Sequence, residues 1–246
     1  MKSIDSTVNI PPENLITANF SMNFLPLVDS LSLFTLRTIN ISTEFGEYEI
    51  FLNAVISDSD GTENLSDSAV VYWLNHADKV MFADDISQYS RLFTHIIDVE
   101  GTALNDYLGL SYYLQANDSA GDTVKSALVY VVRFIEEPML AFTPSGIDTT
   151  GGKPLFTWHD PTVAFDYKYR LKLYTYPSPD QIFEEILYDT SEALVEVDTI
   201  LNTLGYIYKS SSPNDSLSLG QYMWTVQIED LIGNISRSKQ KIFEVQ

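Results

Sequence analysis

The stretch Tyr222-Met223-Trp224-Thr225-Val226-Gln227-Ile228-Glu229-Asp230-Leu231-Ile232-Gly233-Asn234-Ile235-Ser236 reads as a buried strand running into a tight polar turn. Leu110, Tyr112, Leu114 and Ala116 match Tyr222, Trp224, Val226 and Ile228 as an inward face, at a constant offset. Beyond them, Leu114 to Ser126 lies over Val226 to Ser238 without a gap, and Gln, Asp, Gly, Ser and a basic residue coincide. An Asp side chain accepts hydrogen bonds from turn amides, and Gly supplies a positive φ at little steric cost. A hairpin joining two central strands needs both. The recurrence therefore predicts two similar units in tandem and makes the stretch a structural device of each unit.

Outward from the repeat, the rest of the chain reads as strands. In Tyr167 to Leu173, Tyr167, Tyr169, Leu171 and Leu173 share one face and Lys168, Arg170 and Lys172 the other, a period-two alternation with one side toward a core. Phe34 to Ile41 fits an edge strand, and Tyr48 to Ile56 a strand ending in the turn Ser57 to Gly61. Ala69 to Leu74 is a short apolar run that reads as buried on both faces. Met81 to Ile86 is a weak strand pattern, and Tyr89 to Val99, Tyr107 to Ala116 and Ser126 to Phe134 complete a first unit of seven strands. Leu155 to Trp158, Phe183 to Tyr188, Leu194 to Val197 and Lys241 to Val245 belong to the second. Thr199 to Leu204 reads as a helical turn and Tyr206 to Ser216 as a polar loop. Before all of these, Pro11-Pro12 interrupts any regular element, so residues 1–14 read as an extended arm and 15–25 as a strand or docking segment. The expected class is all-β: two tandem antiparallel β-sandwiches behind an N-terminal arm. The domains are an arm or docking segment over 1–29, a first sandwich over 30–137 and a second over 138–246.

Phe156-Thr157-Trp158, Tyr169 to Leu173, and Leu217-Ser218-Leu219-Gly220-Gln221-Tyr222-Met223-Trp224 followed by Asp230 to Ser236 resemble the fibronectin type III and immunoglobulin-like sandwiches of bacterial surface proteins. In that family Leu-x-x-Gly-x-Tyr opens the penultimate strand, and the resemblance implies a corner hydrogen bond from Tyr222. The first unit resembles a more general bacterial immunoglobulin-like domain through Asp58-Ser59-Asp60-Gly61 and Asp118-Ser119-Ala120-Gly121. Such domains serve as spacers, adhesive modules or accessory domains, and a fold alone does not choose among these.

Composition narrows the function classes. The 246 residues carry a net charge of -20, and the 46–137 segment alone holds sixteen acidic against four basic groups. Such a field repels phosphate backbones and anionic membrane surfaces, so nucleic acid is not an expected partner. The chain has no cysteine, which excludes disulfides, thiolate metal sites and cysteine nucleophiles and favours a bacterial or archaeal source. No run of about 18 apolar residues marks a transmembrane helix. No signal peptide is legible, and the expected location is extracellular or periplasmic, with lipid anchoring through a segment outside this sequence.

Candidate sites are few. Asp58, Asp60, Glu63 and Asp67 offer oxygen ligands for calcium, the one cofactor considered, with Asp84-Asp85 as distant additions. Their spacing departs from the Asp-x-Asp-x-Asp-Gly calcium loop, and the competing reading is a solvated turn. His76, His95 and His159 stand apart, no Gly-x-Ser-x-Gly elbow occurs, and the chain is not expected to be an enzyme. Trp73, Trp158 and Trp224 sit in apolar strand contexts and read as core. Tyr174, Tyr176, Tyr206 and Tyr208 lie near Pro- and Ser-rich loops and are the candidate exposed partner contacts. The leading expectation is an adhesive, structural or scaffold module of the cell envelope that binds a protein partner through loops or a sheet edge. The alternatives are a glycan-binding accessory module of a secreted enzyme system and a calcium-stiffened spacer.

Overall fold

The structure is a computed structural model that describes residues 23–39, 46–67, 69–73, 76–79, 82–146, 148–188, 193–208 and 216–246. Nine strands belong to the first sandwich: β1 (Leu27–Ile39), β2 (Gly46–Ser57), β3 (Val70–Trp73), β4 (His76–Lys79), β5 (Phe82–Ser87), β6 (Ser90–Val99), β7 (Ser111–Asn117), β8 (Thr123–Lys125) and β9 (Val129–Tyr130). One layer runs β1-β2-β6-β5 and the other β4-β3-β7, with β8 and β9 beside β7. Nine more form the second sandwich: β10 (Thr149–Thr150), β11 (Leu155–His159), β12 (Tyr167–Thr175), β13 (Gln181–Tyr188), β14 (Leu194–Asp198), β15 (Thr203–Ile207), β16 (Gly220–Asp230), β17 (Ile235–Arg237) and β18 (Lys241–Val245). Its layers are β11-β15-β14 and β13-β12-β16-β18-β10. The all-β sandwich class is thus borne out.

Each unit has its own apolar core, as period-two patterning requires. One contains Ile50, Leu52, Phe93, Tyr112 and Leu114. The other contains Phe156, Trp158, Tyr169, Leu171, Trp224 and Val226. The alternation over Tyr167 to Leu173 holds, with Tyr169, Leu171 and Leu173 fully buried. Trp158 and Trp224 are buried as expected, and Trp224 Nε1 donates to the Pro144 carbonyl at 2.8 Å. The side chain of Trp73 lies outside the described residues.

The repeat is reproduced atom for atom in the backbone. Asp118 N–H donates to Asp122 O and Gly121 N–H to Asp118 O; Asp230 N–H donates to Asn234 O and Gly233 N–H to Asp230 O. Gly121 and Gly233 have φ of 86° and 93°, conformations that a side chain would strain. Past each turn, the Ser126 and Ser238 hydroxyls accept from Leu114 N–H and Val226 N–H at 2.9 and 3.1 Å. The Tyr222 hydroxyl donates to Ser218 O at 2.9 Å, which is the corner bond the family resemblance implies.

Four expectations are corrected. The Phe34 segment is not an edge strand: β1 lies between β2, antiparallel, and β17, parallel. Val70 and Tyr72 are only half-buried, so β3 is not covered on both faces. Ser126 to Phe134 contains only the two-residue β9. Residues 199–202 form a turn without helix, with Asn202 at φ 47°, before β15 begins at Thr203. The expected arm and most of the docking segment fall outside the described residues.

The β1–β17 pairing, with Leu36, Arg37 and Thr38 opposite Ile235, Ser236 and Arg237, joins one layer of each sandwich into a single ten-stranded sheet. It removes an open edge from each unit. Side chains lock it. Thr35 N–H donates to Asn234 Oδ1 at 2.9 Å, and the Thr35 hydroxyl to Arg133 O at 2.8 Å. The Ser236 hydroxyl donates to Glu137 O at 2.8 Å. Replacing Asn234 by Ala leaves buried donors and acceptors unmatched, at a cost of about 2–3 kcal/mol. Urea denaturation of N234A should show a clearly lowered midpoint, while N105A on the exposed face of the short Leu104–Tyr107 helix should match the parent.

Candidate partner-binding surface

A network of ion pairs covers the outer face of the second sandwich. Alternation places Lys168, Arg170 and Lys172 of β12 on the side away from the core. The register sets Lys168 against Glu229 of β16, and Lys172 against Glu184 of β13 and Thr225 of β16. Lys168 Nζ meets Glu229 Oε1 at 2.9 Å, and Arg170 reaches Glu229 Oε2 through Nη2 at 2.8 Å. Arg170 Nη1 also donates to Glu184, whose other oxygen accepts from Gln181 Nε2 at 3.0 Å. The bond from Arg170 holds the Glu184 carboxyl below the usual carboxylate range. Burial pushes Glu229 upward, but the bonds from Lys168 and Arg170 outweigh it and leave that carboxyl lowered too.

This ladder ends at an open edge. Among the described strands β13 pairs only with β12. Its outward residues Ile182, Ile186 and Tyr188 are 45%, 43% and 57% exposed. Tyr174 stands on the same outer face of β12, half-buried, and burial raises its hydroxyl pKa. Tyr176, just past the strand, is exposed. The expectation of exposed loop tyrosines is corrected for the other two. Tyr206 and Tyr208 are buried, and their rings lie 6.3 and 5.0 Å from that of Phe183. The apparent polar loop hid them because β15 carries the chain inward as far as Ile207 before the loop begins.

The acidic turn is largely engaged. Asp58 is buried; its Oδ1 accepts from Asp60 N–H at 2.8 Å and its Oδ2 from Asn64 Nδ2 at 3.0 Å. Asp60 Oδ2 accepts from Phe24 N–H at 2.6 Å. Asp67 lies apart, paired with Arg91 at 2.7 Å, and Arg91 also takes Asp85 at 2.7 Å. Glu63 is exposed, as is Asp84. The fold does bring a second acidic turn to this pole: Asn23 Nδ2 donates to Asp118 Oδ2 at 2.7 Å and Asp122 Oδ2 at 3.1 Å, while its Oδ1 accepts from Asn64. Among the described residues no three His, Asp or Glu side chains are placed to share an ion. Of the histidines, His159 Nδ1 lies 3.4 Å from Leu201 O. Asp160, its neighbour, accepts from the Tyr167 hydroxyl at 2.9 Å and from the Tyr169 hydroxyl. Burial, then the bond to Asp160, pushes the Tyr169 pKa far upward, so this group is a structural donor.

Sequence reasoning missed Glu184, Glu229 and the β13 edge. The one available signal was the cationic stripe Lys168, Arg170 and Lys172, which favours acidic neighbours; which acids those are depends on cross-strand register.

No protein-family profile matches the chain, and no curated protein matches it in sequence. Among solved structures, dimeric latent PorU from Porphyromonas gingivalis is similar at a TM-score of 0.35 and 10% identity, over 91% of this chain and 20% of that one. The chain thus spans about a fifth of PorU. Fibronectin(III)-like modules of Clostridium thermocellum CbhA are similar at 0.34 and 10%, over 90% and 93% of the two chains. The chicken interferon gamma receptor alpha chain is similar at 0.29 and 10%, over 89% and 97%. At these scores the sandwich assignment stands on the strand order itself.

The lowered pKa values fix a sign. Glu184 and Glu229 ionise more readily folded than unfolded, so their contribution is complete above the unfolded carboxylate value of about 4.5 and is lost as pH falls below it. R170Q should lose roughly 1 kcal/mol at neutral pH, and its deficit against the parent should shrink in acid-titrated denaturation below pH ~4.

Proposed function

We propose that the chain is a non-catalytic, exported structural and adhesive module of a bacterial cell envelope. It works outside the cytoplasm, in the periplasm or beyond, held by a lipid anchor on a segment other than this one. In this reading the division at 30–137 and 138–246 separates two sandwich domains, each built on its own core. The observation that carries the proposal is the ten-stranded sheet running through both units. A strut of this kind keeps surfaces at fixed separation, and among the described helices none is long and apolar enough to cross a membrane.

The partner is a protein that adds a strand to β13. An unpaired edge supplies backbone donors and acceptors, and alternate side chains supply selectivity. Ile182, Ile186 and Tyr188 give the apolar contacts, Tyr174 and Tyr176 the adaptable ones. Immobilised chain should retain a protein from bacterial envelope extracts. I186K with Y188K should reduce retention at least tenfold with an unchanged melting temperature, and retention equal to the parent would contradict the edge.

A glycan is the second reading, favoured by a cleft of about 610 Å³ beside the same face that gathers Phe165, Tyr167 and Tyr188 with Asp166, Lys168 and Glu229. Rings beside carboxylates suit stacking and hydroxyl recognition. Saturable binding on a glycan array, without capture of any protein, would reverse the order of the two. Calcium stiffening is the third, supported by the meeting of the Asp58 and Asp118 turns at one pole. A melting temperature higher in calcium than in chelator supports it, and equal values remove it.

A further inference from the structure

Three cations converge at the junction between the sandwiches. Arg37 and Ile39 of β1, Pro138 to Ala141 of the connecting segment, and Lys239 and Lys241 at the β17–β18 step line a cavity of about 340 Å³. In a chain with only fourteen Lys and Arg against thirty-four Asp and Glu, this lining holds three basic side chains and no acidic one. Arg91, Arg170 and Lys168, by contrast, are each paired with carboxylates. Among the described residues no carboxylate forms an ion pair with Arg37, Lys239 or Lys241.

Arg37 carries a second anomaly. Its Nε donates to the Tyr48 hydroxyl at 3.1 Å and its guanidinium lies 5.7 Å from the centre of the Tyr48 ring. That holds the side chain in place. Its Nη1 is nevertheless buried without an acceptor among the described residues. A buried guanidinium with no counter-charge is costly, and a carboxylate held near it offsets that cost through its charge. The remaining wall is apolar: Ile39, Met139, Leu140 and Ala141. The volume lies at the lower end of the range for small-molecule sites.

We propose that this junction cavity binds a small amphipathic carboxylate, its head on Arg37, Lys239 and Lys241 and its aliphatic body on Ile39, Pro138 and Leu140. The cavity has walls from both sandwiches and from the segment that connects them. Binding there therefore tightens the junction as well as filling it.

Titration of the whole chain with sodium octanoate, followed by calorimetry and by backbone amide shifts, tests this. The expected result is saturable binding with shifts centred on Arg37, Met139 and Lys241. The neutral octanamide and inorganic sulfate should each bind at least tenfold more weakly, since one lacks the charge and the other the apolar body. K239Q with K241Q should weaken octanoate at least tenfold, and these half-exposed side chains have no ion pair to lose. R37Q should do the same, and a melting curve shows whether it remains folded; should it not, the double lysine variant decides. Absence of saturable binding, equal affinity for sulfate or octanamide, or unaltered affinity in the lysine variant would each overturn the proposal.

Discussion

The Asp230 carboxylate is buried at the meeting point of the two sandwiches and accepts four hydrogen bonds. Oδ1 takes Ile232 N–H and Asn234 N–H at 3.0 and 2.9 Å; Oδ2 takes Asn234 Nδ2 at 3.0 Å and Arg133 Nη1 at 3.3 Å. A buried carboxylate is tolerable only when so satisfied. Because Asp230 fixes the Asn234 side chain, Asn234 Oδ1 faces the Thr35 N–H of the other unit. That contact sets the β1–β17 register, and the register makes one sheet out of two. Arg133, which comes from the end of the first sandwich, also stacks on Phe165 of the second at 4.1 Å.

The same device recurs in the first unit with a different partner. Asp118 binds the Asp122 amide through Oδ1 at 2.7 Å, and its Oδ2 receives Asn23 from ahead of β1. In both units, then, one carboxylate oxygen shapes the hairpin and the other holds the segment entering the sandwich. A turn that could be purely local is used twice as a clasp. This accounts for burial of Asp118 and Asp230 in a chain whose acidic groups are otherwise largely at the surface.

Much of this was legible in the residues. Period-two patterning from Tyr167 to Leu173 fixed the faces, and the Asp, Gly and Ser coincidences located both hairpins, because turn chemistry and burial are local properties. The corner bond of Tyr222 followed from resemblance. What lay beyond reach was non-local. Nothing around Phe34 distinguishes an edge strand from one clasped by a parallel neighbour some two hundred residues away, since both alternate. Tyr206 and Tyr208 looked exposed because a Ser-rich segment follows them, yet the strand leading into it is inward. The junction cavity required three separate segments to meet, and no window of sequence holds Arg37 beside Lys241. Likewise, Glu229 is an unremarkable acid in its strand until the register puts it between Lys168 and Arg170.

The central claim is that the clasp makes the two sandwiches one rigid body. The chain has no cysteine, so spin labels can be placed without background at two exposed positions, Gln88→Cys in the first unit and Leu219→Cys in the second. Pulsed dipolar spectroscopy then reads the distance distribution between them. The account predicts a single narrow distribution, no broader than a label pair within one sandwich, that spreads when N234A is added. A broad or multimodal distribution in the parent would show that the β1–β17 junction does not hold the units together.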